Sequence, residues 1–316
     1  MWWGRIVPTT LCCFFKRLSE QTMVQNLLDI TITGLIVGGI YALIAVGLTL
    51  QYGVGRILNV SHGEFIMIGA LSTYTLYTSF GISPLLAIVI ITPALFVIGY
   101  ILDRTLYNYL RKKAPNADAF SGTSLLASFG MLFVIQNLML LIWGANLKAY
   151  TYLNASVSIF GSLYGLNRLL ALGVSVGVTV IFYIFIQNTR LGKAIRSAAE
   201  DPVTAQVMAV NVKQVLAICF GLGAAMAGLA GTLYSLMFEL QPSKGIELTT
   251  IAIVVVVFGG LGSISGSLLG GFALGLVTSI VNFIDPSLSL VAFYLIFILL
   301  LLFKPSGILG RRIHAD

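Results

Sequence analysis

The chain has 316 residues, of which 58% are hydrophobic and only 9% charged. A soluble globular chain carries about 25% charged residues, so this one cannot cover a water-facing surface of its own size; a soluble enzyme, a disordered regulator and a nucleic-acid-binding module are excluded. The net charge of +7 then reads as the loop charge of a membrane protein and not as a nucleic-acid footprint.

In chain order, residues 1–22 come first. A short apolar run is followed by Lys16 and Arg17, and no small-residue cleavage site appears, so this is not a signal-peptide pattern. Met23 opens a second, charge-free lead into the first apolar run. The expectation is that translation starts at Met23, with 1–22 a tail outside a single transmembrane domain over 23–316. Nine apolar segments follow, at roughly 28–52, 61–80, 83–103, 120–143, 166–187, 215–237, 247–260, 266–284 and 288–303. Only helices and closed barrels satisfy their backbones in lipid, and no barrel-type alternation is seen. The predicted fold is therefore all-α, a polytopic bundle of about eight or nine transmembrane helices. Segment 247–260 is the weakest: it is short, β-branched from Val254 to Val257, and ends in Gly259-Gly260-Leu261-Gly262. It reads as either a span or a broken, re-entrant helix.

Basic residues orient the bundle. Arg56, Arg104, Arg111, Lys112, Lys113, Arg190, Lys193, Arg196, Lys213, Lys304, Arg311 and Arg312 fall on one side, against Lys148, Arg168 and Lys244 on the other. By the positive-inside rule the richer side, with the C-terminus, is cytoplasmic. With nine spans, the segment before Leu28 is then external.

Small residues recur at four-residue spacing: Gly223, Ala227 and Gly231, beside Gly228, and Gly262, Gly266 and Gly270, beside Gly259 and Gly260. Such rows let helices approach closely in lipid. Polar residues within membrane segments are costly and therefore informative. Asn59, His62 and Glu64 cluster at the expected cytoplasmic start of the second span and are assigned as a polar gate or anchor. His62 and Glu64 do not share a helix face, which argues against a catalytic dyad. Gln136, Asn137 and Asn282 are candidates to line a polar path. Glu239, Lys244 and Glu247 are placed in an external loop, and the aromatics of 144–165, among them Tyr150, Tyr152, Phe160 and Tyr164, at headgroup level. Neither the cysteines (Cys12, Cys13, Cys219) nor the two histidines have metal-ligand spacing, so no metal site is expected.

The loop 188–214 is the most informative. Arg190, Lys193 and Arg196 share a helical face that suits anionic headgroups of membrane lipid. Asp201-Pro202 is an N-cap followed by Pro at the first helical position, and Asn211 is expected to close that short helix in the left-handed conformation. Val203, Val207 and Met208 would make an exposed apolar patch, which fits a groove on another protein or the surface of the bilayer. The Walker pattern is absent, since Gly192-Lys193 is followed by Ala194; any ATP is used by another chain.

Five ordered motifs then carry a resemblance: Asn59-Val-Ser-His-Gly-Glu64 with Met67-Ile-Gly69, Arg190-Leu-Gly-Lys-Ala-Ile-Arg196 with Ala199-Glu-Asp201, Gly223-Ala-Ala-Met-Ala-Gly228, Phe258-Gly-Gly-Leu-Gly-Ser263 with Gly266, and Lys304-Pro-Ser-Gly-Ile-Leu-Gly310. From about Leu28 to Gly310 the chain resembles the LivH-type permease subunits of branched-chain amino acid ABC importers. The resemblance implies a non-enzymatic inner-membrane permease. Its partners would be a second permease subunit, two cytoplasmic ATPases and a periplasmic amino-acid-binding protein. It also implies an ATPase-coupling loop including Arg196, Glu200, Asp201, Pro202, Val203, Val207, Met208 and Asn211. Family members often carry Gly where Val210 stands and Phe-Ala where Val60-Ser61 stands. Related permeases serve urea or short amides, and a secondary transporter using Glu64 is the rival from another class.

Overall fold

The computed structural model of the chain describes residues 23–159, 162–304 and 307–308. The tail 1–22 with Cys12 and Cys13, and likewise Phe160, Arg311 and Arg312, lie outside these residues. Each of the nine apolar segments is helical. Helix α1 spans Met23–Gly55, α2 His62–Phe80 and α3 Pro84–Leu102. A π-helical turn, Asp103–Tyr107, leads on into α4, Asn108–Lys113. Helix α5 spans Ala117–Trp143, and a hairpin of β1 (Ser156–Ile159) and β2 (Ser162–Gly165) leads to α6, Leu166–Asn188. Then come α7 (Arg190–Glu200), α8 (Pro202–Val207), α9 (Val212–Ser235), α10 (Gly245–Gly259), α11 (Ile264–Ile284) and α12 (Ser289–Phe303).

The local chemistry sets these ends. Gly81, at φ +68°, closes α2 in the left-handed region. Ser83 and Pro84 cap and open α3, and the Asn116 side chain accepts from Ala119 N–H at 2.8 Å to start α5. Among the described residues eight helical segments are long and apolar enough to cross a membrane. Helix α2 is not one of them, because His62 and Glu64, with its Ser, Thr and Tyr residues, dilute its apolar content.

The most buried helices are α1 and α9. They run antiparallel and cross where Gly47 meets Gly223; a Cβ on Gly223 would lie 2.6 Å from the Gly47 carbonyl oxygen. Each then takes its closest partner from the other half of the chain. Gly34 and Gly38 of α1 lie against Leu276 and Phe272 of α11, whereas Gly221 of α9 lies against Phe96 of α3. Helices α2 and α10 fill the space between. The units α1–α2–α3 and α9–α10–α11 thus have the same build in opposite directions, with their third helices exchanged, which is an inverted repeat. Helices α3, α5 and α12 turn much apolar surface outward, for example Leu86, Leu141 and Phe303, as lipid contact requires.

At the basic end Arg111 pairs with buried Asp103 at 3.1 Å. At the opposite end Lys148 and Leu240 exchange two backbone hydrogen bonds of 2.9 and 2.8 Å, tying the loop after α5 to the loop after α9. The Tyr150 hydroxyl meets Ser235 Oγ at 2.8 Å, and Tyr77 donates to the Thr151 carbonyl at 3.1 Å.

Close glycine crossings should be intolerant of volume, because the opposing atoms are backbone. Gly223→Val is expected to destabilise the purified chain by about 1–3 kcal/mol. Gly130→Ala on α5, where a Cβ would meet nothing within 4 Å, should be neutral or stabilising. Thermal denaturation midpoints in mild detergent distinguish them; equal midpoints for the two variants would contradict the packing described.

Candidate functional site

The chain does not leave the bilayer cleanly after α1. Residues 56–61 fold back along it, starting from Arg56 at φ +53°. The His62 ring, through Nε2, reaches the Ile44 carbonyl at 3.1 Å. Ile44 lies eleven residues before Gly55, or about 16 Å along the helix. At the far end, Trp143 donates its indole N–H to Thr75 Oγ1 at 2.8 Å, the place an interfacial Trp takes. Glu64 is eleven residues before Thr75, again about 16 Å. The start of α2 therefore lies about 16 Å inside the end of α1. Asn59, His62 and Glu64, expected at the cytoplasmic edge of the second segment, are fully buried in the bundle, which the stretch 56–61 re-enters before α2 begins.

That stretch has polar backbone at membrane depth, so it needs internal partners. Asn59 donates to Gln51 Oε1 at 3.1 Å and accepts from the Ser61 N–H at 3.2 Å and hydroxyl at 2.6 Å. Gln51 reaches the Phe220 carbonyl at 3.4 Å, and Ser128 Oγ accepts from Val60 N–H at 3.2 Å. Asn59 and His62 are thus both hydrogen-bonded within the bundle.

The second half repeats the device from the opposite side. After α9, residues 236–244 turn back inward through Pro242–Lys244, and α10 begins at Gly245, packed directly on Gly63 and the Glu64 carboxylate. Thr249 ties the two helix starts together: it accepts from Gly63 N–H at 2.8 Å and donates to the Val60 carbonyl at 2.9 Å. Segment 247–260 is thus part of one continuous helix that starts inside the bundle against α2, and its 15 residues span about 22 Å. Both Glu64 oxygens and His62 Nδ1 are buried with no hydrogen-bond partner among the described residues. Glu247, expected in an external loop, stands instead in the first turn of α10, exposed on the surface of the chain.

The loop 188–214 folds as two short helices at the basic end. The Thr189 side chain caps α7 by accepting from Gly192 N–H at 3.0 Å. Arg190, Lys193, Arg196 and Glu200 are exposed, and Arg196 bonds to Gln187 Oε1 at 2.6 Å. Asp201 caps α8, accepting from Val203 N–H at 2.9 Å and from the Thr204 hydroxyl, with Pro202 at the first helical position. The Thr204 hydroxyl and the Val203 and Thr204 N–H groups hold the Asp201 carboxyl below the usual carboxylate range. Buried Ala205 seats α8 on the body of the protein. Val203, Val207 and Met208 are 71%, 81% and 74% exposed. Ala209, at φ +61°, makes the left-handed turn expected of Asn211. Asn211 instead caps the next helix, accepting from Gln214 N–H at 3.1 Å.

The glycine assignments divide. Gly223, Gly228, Gly259 and Gly266 lie at close helix crossings. Gly260 and Gly262 take φ +107° and +83° in the turn between α10 and α11, so they serve the turn and not a helix row. Gln136, Asn137 and Asn282 are not brought together: Asn137 bonds within its own helix to the Phe133 carbonyl at 2.8 Å, and Asn282 faces outward on α11. Gln51, Ser128 and Thr249 were missed as site residues, since single polar residues in apolar runs carry no local pattern. Among the described residues no group of His, Cys, Asp and Glu is placed to hold a metal ion.

Eight segments able to cross a membrane, two helix starts packed together inside the bundle and a capped apolar arm at the basic end fit a multi-pass membrane protein. The comparisons agree. The family model described as the branched-chain amino acid transport system permease component matches residues 30–302, and the chain belongs to this family. Similar proteins include the high-affinity branched-chain amino acid transport system permease protein BraD of Pseudomonas aeruginosa, 33% identical over 91% of this chain and 97% of its own length. LivH of Escherichia coli is 31% identical over 93% of this chain and 98% of its own length. The ribose import permease RbsC of Haemophilus influenzae is 29% identical, over only 36% of this chain and 37% of its own length. No solved structure is significantly similar.

Removing the Thr249 hydroxyl orphans a buried N–H and a buried carbonyl. Thr249→Val should cost about 1–3 kcal/mol, and Thr249→Ser should restore most of it. Unfolding midpoints of the detergent-purified variants check this; a Val variant as stable as the parent would show that the bridge does not hold the junction.

Proposed function

We propose that this chain is one of two permease subunits of an ATP-driven importer that moves branched-chain amino acids across a bacterial inner membrane into the cytoplasm. Substrate would arrive from a periplasmic binding protein, and two cytoplasmic ATPases would hydrolyse the ATP. The relatives that match nearly end to end are permeases of branched-chain amino acid systems, whereas the ribose permease matches about a third of the chain; this favours amino acids over sugars. The basic end faces the cytoplasm by the positive-inside rule, so the C-terminus is cytoplasmic and the segment before α1 periplasmic.

The observation that carries the coupling role is the α8 patch. Three apolar side chains stand out at the basic end on a helix whose geometry is fixed by Asp201, Pro202 and Ala205. Water gives no reason to hold them there, and a hydrophobic groove on an ATPase does. Loop 188–214 is thus the coupling loop, with Arg196 and Glu200 at its rim.

Met208→Asp and Val207→Asp should leave folding intact, since both side chains are exposed, but should reduce ATPase co-purification through a C-terminal tag and lower binding-protein-stimulated ATP hydrolysis about tenfold or more. Mass spectrometry of the purified complex should find a second permease and two ATPase chains with the parent. Wild-type ATPase recovery and hydrolysis in both variants would remove α8 from the docking surface.

A further inference from the structure

Helices α2 and α3 form an antiparallel hairpin whose outer seam does not close. A groove of about 330 Å³ runs along it. Ile68, Ser72 and Leu76 line it from α2 at four-residue spacing, and Ile90, Ala94 and Ile98 line it from α3 at the same spacing. The gap follows from side-chain size. The middle residue of each wall is small, Ser72 on one side and Ala94 on the other, between longer aliphatic neighbours. Trp143 of α5 also lines the groove. Ile90, Ala94 and Ile98 are exposed, and so are Leu86, Val89, Val97 and Ile101 on the same helix. The groove thus opens onto a continuous apolar surface of a helix able to cross a membrane, and the bilayer is what lies against that surface.

The lining limits what can enter. No acidic or basic side chain is part of it, so a zwitterion would find no counter-charge there. The Trp143 N–H is taken by Thr75 Oγ1 at 2.8 Å, and the Thr75 hydroxyl by the Leu71 carbonyl at 3.0 Å. Ser72 is then the one lining side chain whose hydroxyl has no partner among the described residues, and ordered water needs several polar partners. An apolar chain needs none. An engineered apolar cavity of about 150 Å³ takes up benzene, so the groove has room for on the order of a dozen carbons. From Ile90 to Ile98 it runs straight for about 12 Å.

We propose that this groove binds one acyl chain of a membrane phospholipid. On the neighbouring face of α2, Gly69 packs on Gly228 and the Thr73 hydroxyl donates to Thr232 Oγ1 at 3.0 Å. Helix α2 would then be backed by α9 on one side and by the bound chain on another. The inference needs only the membrane reading, and it stands whatever molecule is transported.

The test uses the complete complex in liposomes that contain phosphatidylglycerol with a diazirine midway along one acyl chain. The complex is extracted and washed in mild detergent before irradiation, which removes loosely held lipid, and adducts are mapped by mass spectrometry. Adducts at Ser72 and Ala94 should exceed those at the openly exposed Leu141 and Phe303 about tenfold or more. Ala94→Phe and Ser72→Leu fill the groove from its two walls, and each should lower the groove adducts about tenfold. Val97→Phe, on α3 but outside the lining, should leave them unchanged. Returning the same phospholipid to the washed complex should raise the melting midpoint of the parent and not that of the two filled variants. Adducts spread evenly over Leu141 and Phe303 would mean annular lipid only and overturn the site. Groove adducts at the parent level in both filled variants would do the same, as would a midpoint that rises alike in the parent and those variants. No groove adduct in the parent would give the space to another occupant, such as a side chain of a second permease, and would also overturn it.

Discussion

The structure depends on one constraint: backbone polar groups inside a bilayer must be paired within the protein. Two stretches, 56–61 and 236–244, break the helical ladder at or near membrane depth, and each break exposes N–H and carbonyl groups that lipid cannot satisfy. The solution is to enclose them. The side chains of Asn59, Ser128 and Thr249 pair backbone groups of the first stretch, and the Asn167 side chain and the Lys148 backbone pair those of Leu236 and Leu240 in the second. Glycines at crossings such as Gly47–Gly223 let helices close over the breaks without leaving space for lipid. The small residues and the polar residues, which look like separate features along the chain, therefore serve one purpose.

The same constraint explains the exchange of helices between the two halves. A helix that starts inside the bundle, such as α2 or α10, has an end that needs neighbours at the level where it starts. Helix α1 has α11 along it and α9 has α3, so the two starts meet in the middle with full-length helices around them. The positive ends of both helices point to this junction, which is where Glu64 lies. A carboxylate near two helix N-termini is of the right sign there, and its lack of a fixed hydrogen-bond partner leaves the junction without a lock of its own. Thr249 is the hydrogen-bonded tie between the helix starts.

Much of this was legible in the sequence. All nine apolar segments are helices, since runs of apolar residues have one outcome in lipid. Asp201-Pro202 starts a helix because a short acid and a fixed φ do the same thing in any surroundings. What failed was depth. Composition shows that α2 and α10 are apolar, but not that each begins inside the bundle, because that is set by the fold-back of 56–61 and 236–244 and by contacts with residues distant in sequence, such as Gly63 with Thr249. Glu247 was placed in a loop for the same reason. Asn211 was assigned to the wrong helix: Asn favours both a left-handed stop and an N-cap, and Val212, the first residue of a long buried helix, decides for the cap. The inverted repeat was not visible either, since it lies in packing geometry and direction and not in matching letters.

The coupling reading gains force from how α8 is attached. A docking helix transmits movement only if no slack separates it from the core. Helix α8 ends at Met208, Ala209 takes a left-handed turn closed by Val210 N–H on the Ala205 carbonyl at 3.0 Å, and Asn211 at once caps α9. Three residues thus separate the exposed patch from the most buried helix of the bundle. On the other side, Thr189 joins α6 to α7 without a free linker, and Gly192 packs on the Ile186 carbonyl. A push on Val207 and Met208 therefore enters α9 directly, and α9 is the helix that touches α1, α2 and α3 at Gly223, Gly228 and Gly221. These contacts meet backbone or buried side chains and have little room to absorb a displacement, so it would pass to the junction at Glu64, where the two helix starts are tied by Thr249. An arm that is rigid at its root and apolar at its tip suits a subunit whose energy is supplied by another chain.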